Sequence, residues 1–204
     1  MDEKINEFRR LNWEIRNCKK CGLWKTRTHA LPGEGGLSSK LMIIAQAPGY
    51  TEDREGRMFV GPSGKKLDML FEKASISRDE IFMTNLVKCV LPHNRKPRPD
   101  EIETCAHYLD RELDLVNPTI VATLGYFPAR HIFKKFGIED KLDFPKVCGK
   151  VFSVGFKKIV PLGHPAALLY HSSLEEKMVE NYRTVSYTHL RAHETRHDLV
   201  CRLL

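Results

Sequence analysis

Six cysteines, at positions 18, 21, 89, 105, 148 and 201, are the first residues whose chemistry needs explaining. Cys18 and Cys21 form a C-x2-C pair among lysines, a spacing that lets two thiolates converge on one metal or cluster. Cys89 closes a strand-like run and Cys105 follows on the next helical stretch, so a four-thiolate site can close between the two regions. A structural zinc site usually shows two short knuckles, and here the second pair is widely spaced. A ferredoxin-type carrier places its cysteines in one close run, which this chain lacks. Cys89 and Cys105 alone would pass for buried thiols, but Cys18 and Cys21 on a lysine-rich loop would not. Zinc and iron–sulfur both remain open on spacing alone, and Cys148 and Cys201 fall outside the set.

Three further segments carry polar groups fit for a binding site. Ala45-Gln46-Ala47-Pro48-Gly49-Tyr50-Thr51-Glu52-Asp53 runs on to Phe59, Asn85 sits in Met83-Thr84-Asn85-Leu86-Val87-Lys88-Cys89, and His164 opens His164-Pro165-Ala166-Ala167-Leu168-Leu169. Each begins where an apolar run ends. In an open α/β sheet, ligands bind beyond the carboxyl ends of the strands, so Glu52, Phe59, Asn85 and His164 are expected on one rim. Singly, each has a plainer reading as a core, cap or turn residue; their convergence favours a site.

The elements that must hold these residues follow from periodicity. Helices are expected over Glu3–Arg16, Pro62–Ala74, Asp100–Val116 and Pro128–Phe136, with a last one starting near Ser173, where Ser173 and Glu176 suit a capping box. Leu41–Ala45 is a continuous apolar run suited to a strand buried on both faces, Ile81–Val87 is a second strand and Thr119–Leu124 a third buried one, and Val151–Val154 and Lys158–Leu162 are further strand candidates. A long loop is expected between Ala45 and Pro62, and the prolines of Leu91–Pro99 exclude regular structure there. Strands alternating with helices imply a three-layer α/β/α sandwich around a mainly parallel sheet.

A chain of 204 residues fits one domain, expected here over residues 1–184. From Val185 onward the pattern stops: three histidines fall in nine residues with no apolar stripe. Residues 185–204 resemble translated read-through of a synthetic sequencing adapter and are expected to be a non-native tail, with the natural C-terminus missing; a His-rich metal tail is the alternative. The start, Met-Asp-Glu-Lys, has no apolar secretory segment and no run is long enough to span a bilayer. A cytoplasmic, nucleoid-associated protein with no membrane partner is expected. The net charge of +7 favours an acidic partner such as nucleic acid over a merely basic enzyme only when joined to other signals.

The combined motifs supply those signals. Ala45-Gln46-Ala47-Pro48-Gly49, Glu52-Asp53 and Gly56-Arg57-Met58-Phe59-Val60-Gly61 resemble the first motif of the family 4 uracil-DNA glycosylases. Thr84-Asn85-Leu86-Val87-Lys88-Cys89 and the following Pro-x-Asn-Arg-Lys-Pro are similar to their central segment, and His164-Pro165-Ala166-Ala167-Leu168-Leu169 to their second motif. The cysteines match that family's cluster pattern, and the likeness covers residues 5 to 183. There are two departures: Ala45-Gln46 stands where the family usually has Gly-Glu, and Ala47 stands where a related family carries a water-orienting aspartate.

The resemblance implies a 4Fe–4S cluster on Cys18, Cys21, Cys89 and Cys105, and removal of uracil from DNA to leave an abasic site. It implies that a flipped uracil meets Gln46, Ala47, Phe59 and Asn85, that His164 and Glu52 are catalytic, Glu52 either orienting the attacking water or instead sitting against uracil C5 to exclude thymine's methyl, and that Arg95, Lys96 and Leu168 contact DNA. Asn85 would satisfy uracil N3–H and O4 together, His164 would meet charge growing on O2, and a leucine would wedge into the vacated stack. A monomer that hands its product to downstream abasic-site repair enzymes is expected. The rival readings are a protein that captures uracil covalently without turnover and a non-enzymatic iron–sulfur DNA-binding protein.

Overall fold

A computed structural model of the chain describes the backbone of residues 2–201 and the side chains of residues 2–188. The helices are α1 (Asp2–Arg16), α2 (Tyr50–Glu55), α3 (Pro62–Lys73), α4 (Pro99–Val116), α5 (Tyr126–Lys135), α6 (Phe144–Val147) and α7 (Glu175–Cys201). The strands are β1 (Glu34–Gly35), β2 (Leu41–Ala45), β3 (Ile81–Asn85), β4 (Ile120–Leu124), β5 (Phe152–Val154) and β6 (Lys157–Leu162). They form one six-stranded sheet in the order β1-β3-β2-β4-β6-β5. The four central strands run parallel, and the short edge strands β1 and β5 are antiparallel.

Every residue of β2, β3 and β4 is buried, the polar Thr84, Asn85 and Thr123 included among their apolar neighbours. The two-residue period of a strand then divides them between two cores. Leu41, Ile43 and Ala45 of β2 pack with Leu67, Leu70 and Phe71 of α3 and with Met178 and Tyr182 of α7. Met42 and Ile44 face the other way, against Leu11 and Ile15 of α1 and Leu109 and Leu113 of α4. Helices on both faces of a mainly parallel sheet make the three-layer sandwich.

The short β1 and α6 are not anticipated by the sequence pattern, and three further elements differ from expectation. α2 lies where a loop is expected: Tyr-Thr-Glu-Asp-Arg-Glu has no apolar stripe, and the helix is set instead by Gly49 at its start and by Gly56 (φ 70°) at its end. β3 ends at Asn85, but Leu86 and Val87 continue its pairing by donating to the Ala45 and Gln46 carbonyls at 2.8 and 2.9 Å. α7 starts at Glu175 after a 3-10 turn over Ser172–Leu174 and runs through the boundary expected at Val185, a residue that is itself fully buried. The side chains of the His-rich stretch and of Cys201 lie outside the described residues. Among the described residues no helix is long and apolar enough to cross a membrane.

The parallel strands place their carboxyl ends on one edge. β3 pairs on one side of β2 and β4 on the other, so the chain changes direction at the β2–β4 pair and opens a crevice there.

Candidate active site and cysteine cage

The crevice is an open cleft of about 620 Å³ that Gln46, Ala47, Glu52, Phe59, Asn85, Arg95 and His164 help to line. Seven of the nine candidate pocket and DNA-contacting residues named from the sequence therefore meet at one edge of the sheet.

Asn85 is the last residue of β3 and is 1 % exposed. Its carboxamide nitrogen donates to the Met58 thioether at 3.1 Å, a weak acceptor that a carbonyl oxygen would displace. Phe59 adopts φ 53°, a left-handed conformation that costs a non-glycine residue about 1–3 kcal/mol. Two contacts enforce it. The Arg78 guanidinium donates to the Met58 carbonyl at 2.8 Å, and the first turn of α3 comes so near that a Cβ on Gly64 would stand 1.9 Å from the Phe59 carbonyl oxygen. Strain held in this way marks a ring whose position matters.

Glu52 lies in the first turn of α2 and is the one carboxylate among the described residues lining the cleft. Its Oε1 accepts the Gly61 N–H at 2.7 Å, while a Cβ at Gly49 would stand 2.6 Å from its Oε2. Both loop glycines thus make room for this carboxylate. The neighbouring Asp53 accepts from the main-chain N–H groups of Thr28 and His29 at 2.9–3.1 Å. It ties the segment after the first cysteine pair to α2.

His164 precedes a 3-10 turn over Pro165–Leu169, and its Nδ1 accepts the Ala166 N–H at 3.2 Å. An Nδ1 that accepts carries no proton, so the neutral ring has its proton on Nε2. Burial pushes the pKa down from 6.5 to about 4, and the ring is a neutral N–H donor at pH 7.

The remaining candidates need correction. Leu168 is 4 % exposed and belongs to the core, whereas Leu169 is 41 % exposed and lines the cleft beside Tyr170; the 3-10 turn sends the two neighbours opposite ways. Arg95 reaches the cleft, but its guanidinium donates to both Glu101 oxygens at 2.5 and 2.8 Å, and that bond holds the Glu101 carboxyl below its usual range. Lys96 is exposed on the loop beside Arg95, outside the cleft lining.

Cys18, Cys21, Cys89 and Cys105 border a second, smaller cavity with Arg27, Lys88 and Tyr108. Among the described residues no three of His, Cys, Asp or Glu stand close enough to share a single metal ion. The four cysteines share the lining of one cavity. The Arg27 guanidinium donates to Cys89 Sγ at 3.0 Å and the Lys88 N–H to Cys105 Sγ at 3.2 Å, the kind of outer hydrogen bond that supports thiolate ligands. Burial pushes the Cys89 thiol up and the Cys105 thiol up to about 12. Cys148 lies elsewhere, where Asn181 Nδ2 approaches its sulfur at 3.6 Å.

Sequence reasoning missed Asp53, the Tyr50 hydroxyl that accepts the His93 N–H at 2.6 Å, and a buried pair formed by Lys88 and Glu112. The one available signal was Lys88 itself, a charge inside the apolar run Leu86-Val87-Lys88-Cys89-Val90-Leu91.

The profile of the uracil DNA glycosylase superfamily matches residues 32–185. A type-4 uracil-DNA glycosylase of Sulfurisphaera tokodaii is 43 % identical over 90 % of this chain and 82 % of its own length. The type-4 enzyme of Archaeoglobus fulgidus is 38 % identical over 84 % of this chain and 88 % of its own. That of Thermotoga maritima is 33 % identical over 81 % and 84 %.

Proposed function

The chain belongs to the uracil DNA glycosylase superfamily, and from that premise we propose that it removes uracil from DNA by hydrolysing the N-glycosidic bond, leaving an abasic site for repair. The observation that carries this reading is the meeting of Asn85, Phe59 and the neutral His164 in one cleft at the carboxyl edge of the sheet.

A base in a duplex is out of reach until it is flipped, at about a few kcal/mol. Leu169, exposed at the mouth, is the side chain placed to fill the gap it leaves. The Phe59 ring stacks on the flipped pyrimidine. The Asn85 carboxamide offers an acceptor to N3–H and a donor to O4; cytosine presents the reverse order and leaves buried groups unpaired. As the bond to C1′ lengthens, charge collects on uracil O2, and the His164 Nε2–H meets it. A neutral donor suits this task, since it stabilises the oxyanion without giving up its proton. Ala47 carries no polar group to orient water, so Glu52 takes that role as the cleft's carboxylate. Its side chain also limits the space available to a thymine methyl.

Cys18, Cys21, Cys89 and Cys105 would hold a 4Fe–4S cluster. When bound, the group would supply iron–thiolate links that cross-link the N-terminal loop to the segment after β3 and to α4, a structural contribution because glycosidic hydrolysis transfers no electrons. Arg27 and Asp53 extend that link, one reaching Cys89 and the other holding Thr28 and His29 against α2.

The test is strand cleavage after alkali on oligonucleotides that carry uracil, hypoxanthine or a thymine mismatch. Cleavage at uracil, with little at the thymine mismatch, supports the reading, and no cleavage at uracil overturns it.

A further inference from the structure

Lys88 and Glu112 take no part in the chemistry above, yet they are the most deeply buried ion pair in the described structure, with side chains 2 % and 0 % exposed and 2.6 Å apart. Burying two charges is costly, and such a pair seldom stabilises a fold better than apolar side chains of the same volume. A pair kept in the core therefore points to a positional task.

Its contacts show what is positioned. The Lys88 ammonium donates to the Asn85 main-chain carbonyl at 2.8 Å, to the Thr84 hydroxyl at 2.6 Å and to Glu112 Oε2. Thr84 in turn donates to the same carboxylate oxygen, and Glu112 Oε1 accepts the Gly33 N–H. At its other end, the Lys88 N–H donates to Cys105 Sγ. Cys105 and Glu112 are seven residues apart on α4, two turns along one face of the helix. α4 thus grips Lys88 by its main chain and by its ammonium, and the ammonium grips the residue that reads the base.

We infer that Lys88 is a positioning residue for uracil recognition: neutralised by Glu112, its ammonium fixes the Asn85 main chain and so aims the carboxamide into the cleft. The inference rests on the reading of Asn85 as the uracil reader. It assigns Lys88 no contact with substrate. A misplacement of about 1 Å at a reading group costs up to about a hundredfold in rate, so loss of the ammonium should appear in recognition of the base before it appears in DNA affinity.

Two paired substitutions test this, Lys88→Met with Glu112→Gln and Lys88→Gln with Glu112→Gln. Both remove the two charges together and leave an oxygen to accept the Gly33 N–H. Four quantities are read: single-turnover excision, inhibition by free uracil, affinity for abasic-site DNA, and iron content with melting temperature. The expected result is a folded, iron-loaded protein whose excision slows by about tenfold to a hundredfold and whose inhibition by free uracil weakens, while abasic-site affinity holds. Asn85→Ala, measured in parallel, separates the two ideas. If Asn85→Ala loses excision and uracil inhibition while the folded pair variants keep both, the role of Lys88 is overturned and that of Asn85 stands. If Asn85→Ala keeps both, the reading beneath the inference fails. If neither pair variant folds, Lys88 serves stability and the inference is overturned.

Discussion

Replacing His164 with alanine removes a donor whose protonation state the structure fixes. The Ala166 N–H occupies Nδ1, burial holds the ring's pKa near 4, and the group lost is therefore one neutral Nε2–H. A donor that acts mainly in the transition state costs about a hundredfold to a thousandfold in rate when removed, or about 2.7–4 kcal/mol. The substitution also orphans the Ala166 N–H, worth about 1 kcal/mol, which lowers the melting temperature by about 2–4 °C in a chain of this size. Single-turnover cleavage and equilibrium binding are measured on the same uracil-containing oligonucleotide. Cleavage should fall by two to three orders of magnitude, taken as an approximate range, while binding changes little, because O2 carries little charge before the bond breaks. The wild-type rate should show no His164 titration above about pH 5. Stability has its own pH signature. With the folded pKa lowered from 6.5 to about 4, the unfolded chain takes up a proton that the folded chain refuses, so this residue destabilises the fold as pH falls through that window. A parallel loss of binding and cleavage, or a rate limb near pH 6.5 that disappears in His164→Ala, would refute the reasoning.

Four further outcomes are expected. Serine at Cys18, Cys21, Cys89 or Cys105 should lower iron content and soluble yield, whereas Cys148→Ser should leave iron bound; loss of iron in Cys148→Ser alone contradicts the ligand set. Asn85→Asp should raise excision of cytosine relative to uracil, because a protonated carboxyl offers a different donor–acceptor order, and unaltered uracil activity would remove Asn85 as the reader. Leu168→Ala should destabilise the fold by about 2–5 kcal/mol, while Leu169→Ala should spare stability and slow excision from duplex more than from single-stranded DNA; melting curves and paired substrates decide. Ending the chain after Thr188 keeps the buried Val185, and uracil excision should survive that truncation; loss of folding would show that the segment beyond is a structural part of α7.

The sheet was legible because strands buried on both faces are written as unbroken apolar runs. Leu41–Ala45 carries that signal over its whole length and residues 81–83 carry it over the first part of β3, with no help from alternation. The rim was legible from the same strands, since polar residues that close an apolar run or follow it within two residues lie near a strand's carboxyl end, as Asn85 and His164 do. What escaped has physical causes. α2 and α6 are short helices set by their ends and by packing, so neither has a stripe to find. Leu168 and Leu169 are indistinguishable in sequence, and a 3-10 turn, not an α-helical period, decides which is buried. Arg95 promised a free cation, but Glu101, six residues on, engages it. The Lys88–Glu112 pair spans 24 residues, a separation that no local pattern encodes.

The central claim is that this cleft cuts uracil from DNA and turns over. Its most direct test is mass-spectrometric quantitation of free uracil released by iron-loaded protein from an excess of uracil-containing oligonucleotide. Several molecules of uracil per molecule of protein, with release abolished by Asn85→Ala combined with His164→Ala, is the expected result. Release that stops at one equivalent, with protein joined covalently to DNA, or no release at all, would contradict it.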